Sequence, residues 1–69
     1  MGLVPKTRST ATYFTIGSTE DEVLSVQGAP TSIDNYFHLK WWYGLSSVTF
    51  DSSGRVSTYD NATGNLRVR

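Results

Sequence analysis

Phe37, Leu39, Trp41 and Tyr43 alternate with His38, Lys40 and Trp42, so a two-residue repeat governs the middle of the chain. In an extended strand successive side chains point to opposite faces. The pattern therefore predicts a half-buried strand from Tyr36 to Tyr43, with Phe37, Leu39, Trp41 and Tyr43 on its inner face and Tyr36, His38, Lys40 and Trp42 on its outer face. Such a strand needs partners on both sides and a cover over its apolar face. Ser46 to Phe50 repeats the alternation with Val48 and Phe50 inward. Asp51-Ser52-Ser53-Gly54 then supplies a turn whose glycine adopts positive φ, and Arg55 to Tyr59 returns as the second arm of a hairpin, with Val56 inward. A second glycine-bearing turn, Asp60 to Asn65, leads into Leu66-Arg67-Val68, read as a last strand at the sheet edge.

The cover is a helix. Thr19 and Glu22 stand in the capping-box relation, and Glu20, Asp21 and Glu22 place negative charge at the positive end of the helix dipole. These signals predict a helix from Glu20 to Gln27, ended by Gly28 in a left-handed cap and kept from resuming by Pro30. Two turns of helix are too short to stand alone in water, so Val23, Leu24 and Val26 are expected to pack on the sheet. Before the helix, Thr12 to Ile16 mixes β-branched and aromatic residues and reads as a short strand or extended arm. With 69 residues there is room for one small core, since a chain of this size buries only about 60% of its unfolded surface. The expected fold is α+β: one short helix packed on an antiparallel β-meander of three to four strands, preceded by a short strand or extended arm. The domain is expected over residues 12–69, and residues 1–11, rich in Pro, Lys, Arg, Ser and Thr, read as a flexible leader or linker.

Charge and composition narrow the function. Six Lys and Arg balance six Asp and Glu, which gives no broad basic surface for nucleic acid. Without cysteine there is no disulfide, thiolate metal site or cysteine nucleophile. The longest apolar run, Leu39 to Leu45 interrupted by Lys40 and Gly44, is far short of the roughly 20 residues that span a bilayer, so no membrane insertion is expected from this segment. Residues 1–10 lack the apolar stretch of a signal peptide.

Each catalytic or ligand-binding motif is better explained by structure. Consecutive acids at positions 20–22 point in different directions on a helix, which suits capping rather than a cation site. His38 is the single histidine and has no second His or Cys with which to share a metal. No nucleophile elbow or triad-like set accompanies the serines and threonines. Gly17-Ser18-Thr19 before a helix looks like the start of a phosphate loop, but the acids that follow repel phosphate and the loop's lysine is missing. Asn61-Ala62-Thr63 matches a glycosylation acceptor and reads as turn chemistry. No enzyme activity, cofactor or metal is expected.

The aromatic content stands out, with two Trp, four Tyr and three Phe. If Trp41 and Tyr43 fill the core, Trp42 joins Tyr36, His38 and Lys40 on the exposed face as a candidate platform for stacking a peptide or glycan.

Gly17-Ser18-Thr19 opening a helix with Val23, Gly28-Ala29-Pro30 closing it, Trp41-Trp42-Tyr43-Gly44, Val48-Thr49-Phe50 and Gly54-Arg55-Val56 together resemble the SmpA/OmlA-type domain of bacterial envelope proteins. The resemblance spans about Gly17 to Val56 and implies a helix on an antiparallel sheet, a non-enzymatic role and protein contacts at the bacterial cell envelope. The fold so implied is also similar to the repeated unit of β-lactamase inhibitory proteins. The chain departs from the outer-membrane members in lacking a lipidated Cys and in carrying an extended segment, Thr12 to Ile16, where they have another helix. It therefore fits a domain within a larger bacterial protein. The expected function is a non-catalytic protein-interaction or structural domain with a protein partner. Two alternatives stand beside it: a module stacking a peptide or glycan on Tyr36, His38, Lys40 and Trp42, and an enzyme inhibitor presenting a loop such as Asp51 to Gly54.

Overall fold

The computed structural model describes residues 12–68. The expected leader, residues 1–11, lies outside them, as does Arg69.

Helix α1 (Glu20–Gln27), the single helix among the described residues, begins where its capping box requires. The Thr19 hydroxyl accepts from the Glu22 amide at 3.2 Å and the Glu22 carboxylate accepts from the Thr19 amide at 2.7 Å, so two of the amides left over at a helix start are satisfied reciprocally. At the other end the Gly28 amide donates to the Leu24 carbonyl. Gly28 has φ 84° and ψ −171°, so the helix ends in the extended positive-φ region that is nearly exclusive to glycine, not in the left-handed helical conformation expected from the Gly-Ala-Pro signal. Val23 is fully buried and Val26 half-buried, whereas Leu24 is 44% exposed. Leu24 is thus not a packing residue: it adjoins Val23 in sequence, and a two-turn helix turns only one stripe of side chains to the sheet.

The remaining elements form one antiparallel sheet in the order β1 (Ser32–Asn35), β2 (Leu39–Tyr43), β3 (Ser46–Phe50) and β4 (Val56–Asp60). Each strand pairs with its chain neighbour, so the fold is one short helix followed by a four-stranded antiparallel meander. Two differences from the expected strands involve β1 and β2. The strand predicted from Tyr36 starts only at Leu39, because Tyr36, Phe37 and His38 form the connection from β1. Strand β1 itself is invisible to the alternation rule, since Ser32, Asp34 and Asn35 are turn-forming residues and Ile33 is its one apolar side chain.

The core forms on the inner face. Trp41, Tyr43, Val48, Phe50 and Val56 are buried there with Val23. Trp41 and Phe50 meet with ring centroids 4.8 Å apart. Two segments outside the sheet complete the cover. Phe14 and Leu66 are buried in the same cluster, and Phe14 meets Tyr59 edge-on at 6.2 Å. The segment Leu66 to Val68 is not a strand of the sheet. Val68 makes a parallel bridge to Phe14, and the Phe14 amide donates to the Arg67 carbonyl at 2.8 Å. The extended arm and the tail therefore pair with each other above the sheet. Gln27 at the end of α1 ties them to the helix, donating through Nε2 to the Asn65 carbonyl and accepting through Oε1 from the Arg67 amide, both at 2.8 Å.

The Tyr43 hydroxyl donates to the Gly28 carbonyl at 2.9 Å, joining β2 to the helix end. Burial disfavours its phenolate and pushes its pKa up to about 12. The unfolded chain deprotonates this group near 10, so the contribution of Tyr43 to stability is complete below pH 10 and is lost as pH rises from there to about 12. Denaturant midpoints measured on either side of this range are expected to fall with rising pH, and Tyr43→Phe is expected to flatten that dependence.

Candidate functional site

The meander places its connections at two ends. Strands β1 and β3 run toward one end, where the β1–β2 connection (Tyr36, Phe37 and His38) and the β3–β4 connection (Asp51 to Arg55) lie. The start of α1 is at this end too. Thr19 bridges Arg55, the Val56 amide donates to the Ser18 carbonyl, and the Gly17 amide donates to the Val56 carbonyl. At the opposite end Gly44 and Leu45 connect β2 to β3, with Gly44 at φ 68° in the first turn position, as a tight two-residue hairpin favours.

The four platform residues expected from the alternation are divided between two places. Lys40 and Trp42 share the outer face of β2, with the Lys40 Nζ 5.3 Å from the Trp42 ring centroid. Trp42 is half-buried, and its partner across the β2–β3 register is Ser47. Ser47 is only 5% exposed although alternation turns it away from the core, which fits a Trp42 ring leaning across it. Tyr36 and His38 are exposed in the turn beyond the strand and extend the row of Lys40 and Trp42 no further.

Phe37 corrects the sequence reading most. Expected on the inner face, it is 85% exposed, because the chain turns between Asn35 and Leu39 and the strand periodicity does not apply there. Its ring meets that of Tyr36, itself 82% exposed, edge-on at 4.7 Å. Ile33 adds to this apolar surface. It faces Trp41 across the β1–β2 register and so lies on the inner face, but it is 59% exposed. The helix, arm and tail cover β2, β3 and β4 and leave the inner face of β1 open.

Residues of both connections line an open depression of about 530 Å³: Phe37 and His38 from the β1–β2 connection, Asp51 and Ser52 from the β3–β4 connection, and Asn35, Leu39, Phe50 and Ser57 from the strands beside them. Asp51 is fixed in place. Its Oδ1 accepts from the Ser53 hydroxyl at 2.6 Å, the Ser53 amide at 2.9 Å and the Arg55 amide at 3.1 Å. The Ser53 hydroxyl, and after it the Arg55 amide, hold this carboxyl below the usual aspartate range, so it is ionised at neutral pH. Gly54 at φ 80° closes the turn, with Glu20 Oε2 3.1 Å from where a side chain would begin. Sequence reading had no signal for this depression, because it depends on the two turns lying side by side.

Among the described residues no group of three or more His, Asp or Glu is placed to hold a metal ion, and no helix is long and apolar enough to cross a membrane. Comparison with protein-family models, curated proteins and solved structures finds no match for the chain.

Proposed function

We propose that this chain is a non-catalytic protein-binding domain of a bacterial, envelope-associated protein, and that it contacts its partner through the end of the sheet carrying Ile33, Tyr36 and Phe37. The observation behind this reading is that the two most exposed large aromatics, 82% and 85% accessible, pack against each other in a turn instead of against the core. Folding alone gives no reason to keep them there, and exposed aromatic clusters are enriched where proteins bind one another. The resemblance of Gly17 to Val56 to the SmpA/OmlA-type domain supports the envelope setting.

The test is an amide-resolved NMR titration of the chain with bacterial envelope protein extract, soluble peptidoglycan fragments and a proline-rich peptide in turn. Signals of residues 33 to 38 are expected to broaden with the protein fraction. Phe37→Ser is expected to abolish the effect while leaving the unfolding free energy within about 0.5 kcal/mol of the parent, the usual range for a surface change. Response confined to the Trp42 indole with peptidoglycan fragments would instead favour the glycan platform on the outer face. A partner engaging the Asp51 to Gly54 turn by inserting it into an enzyme cleft would favour the inhibitor reading.

A further inference from the structure

The charge of the described residues is uneven. All six Asp and Glu, but only Lys40, Arg55 and Arg67 among the cations, lie within residues 12–68, which gives that region a net charge of −3. The acids gather at the end that carries the exposed aromatics. Glu20, Asp21 and Glu22 occupy the first turn of α1 there, Asp51 opens the β3–β4 connection, and Asp34 is the third residue of the four in β1, just before the β1–β2 turn. Asp60 closes β4 at the opposite end.

The cations at this end are already engaged. Lys40 lies over Trp42 on the outer face. Arg55 attracts Asp51 weakly, but its guanidinium donates to the Gly17 carbonyl at 2.9 Å and does not line the depression. The depression thus combines a fixed carboxylate with an exposed aromatic ring and an apolar wall from Leu39, and among the described residues no Lys or Arg lines it.

From this juxtaposition we infer that the depression between the two turns receives an arginine side chain from an extended, basic segment of the partner protein. A guanidinium is planar, stacks on aromatic faces and pairs with carboxylates through a fixed fork of donors, so Phe37 and Asp51, which both line the depression, suit both of its modes of recognition. Glu20, whose Oε2 lies close to Gly54 of the β3–β4 turn, favours further positive charge beside it. The inference rests on the protein-binding reading above and adds the chemistry of the partner.

Asp51→Asn separates charge from structure. The asparagine side-chain oxygen can still accept from the Ser53 and Arg55 amides that hold the turn, while the negative charge is gone. The probes are acetyl-Gly-Arg-Gly-amide and the same peptide with citrulline, which keeps the shape of arginine without its charge. In NMR titrations of the full chain, the arginine peptide is expected to produce saturable shifts at residues 37–38 and 51–53, and the citrulline peptide none. Asp51→Asn is expected to weaken the arginine peptide about fivefold, the worth of one exposed charge pair, with the rest of the spectrum unchanged. Equal response to both peptides, or shifts that survive Asp51→Asn undiminished, would overturn the inference. So would movement of the same signals in a Lys6→Gln, Arg8→Gln variant without peptide, because the depression would then belong to the chain's own leader. If the arginine peptide does nothing while the envelope protein fraction still acts through Phe37, the arginine assignment alone fails; if neither acts, the protein-binding reading fails with it.

Discussion

Trp41→Ala is expected to cost about 3–5 kcal/mol, the range for truncating a large buried aromatic. Trp41 is buried on the central strand β2 against Phe50, between the cross-strand neighbours Ile33 and Val48. Alanine leaves a void that the rigid meander cannot close, since its backbone positions are fixed by ladders on both sides. The loss is about a third or more of the stability of a domain this small, about 3–10 kcal/mol at ordinary values per residue, so the variant should unfold far more readily than the parent. Circular dichroism is expected to show either no cooperative melt or a midpoint far below that of the parent. A midpoint close to the parent's would mean that Trp41 does not hold the core. Trp42→Ala, one residue along on the outer face, should lose much less, and the contrast between the two is the direct check on the facing of β2.

That facing was legible in the sequence because periodicity and propensity agreed from Leu39 to Tyr43 and from Ser46 to Phe50, where the strands formed as expected. Helix α1 was legible for a different reason: Thr19 and Glu22 carry their own start signal, independent of tertiary context. Phe37 shows where the reading failed. Its place in the alternation was right, but a side chain is inward only if the backbone is still extended there, and the chain had already turned. Nothing in Tyr36-Phe37-His38 announces a turn by composition, since it holds no Gly, Pro, Asn or Asp. The signal lay just before it, in the turn-forming residues of β1, and pointed to a loop where a strand formed. The candidate surface was legible as individual exposed residues, Tyr36 and His38 among them, but not as an arrangement. The grouping of Phe37 and His38 with Asp51 depends on two connections distant in sequence lining one depression, and no local pattern encodes that.

The same limit explains the chain ends, and Phe14→Ala tests it. Phe14 is 2% exposed, yet it lies in no strand of the sheet and makes one backbone bridge, to Val68. A local reading makes the arm dispensable. The packing makes it part of the core, because Phe14 touches Tyr59 and shares the buried cluster with Val23, Val56 and Leu66. Phe14→Ala is therefore expected to cost about 3–5 kcal/mol, as much as a central core aromatic. The loss should also spread in a particular direction. The arm holds the tail, and Gln27 holds the tail to the helix, so amide exchange is expected to quicken first at Arg67, whose N–H is bonded to the Gln27 side chain, and at Gly28, whose N–H closes α1, before it quickens in β2 and β3. A variant that loses less than about 1 kcal/mol with uniform exchange would show the arm to be a passive extension. The expected pattern instead makes Phe14 the residue through which the segment before α1 and the segment after β4, bridged to each other at Val68, close the core of a sheet to which neither belongs.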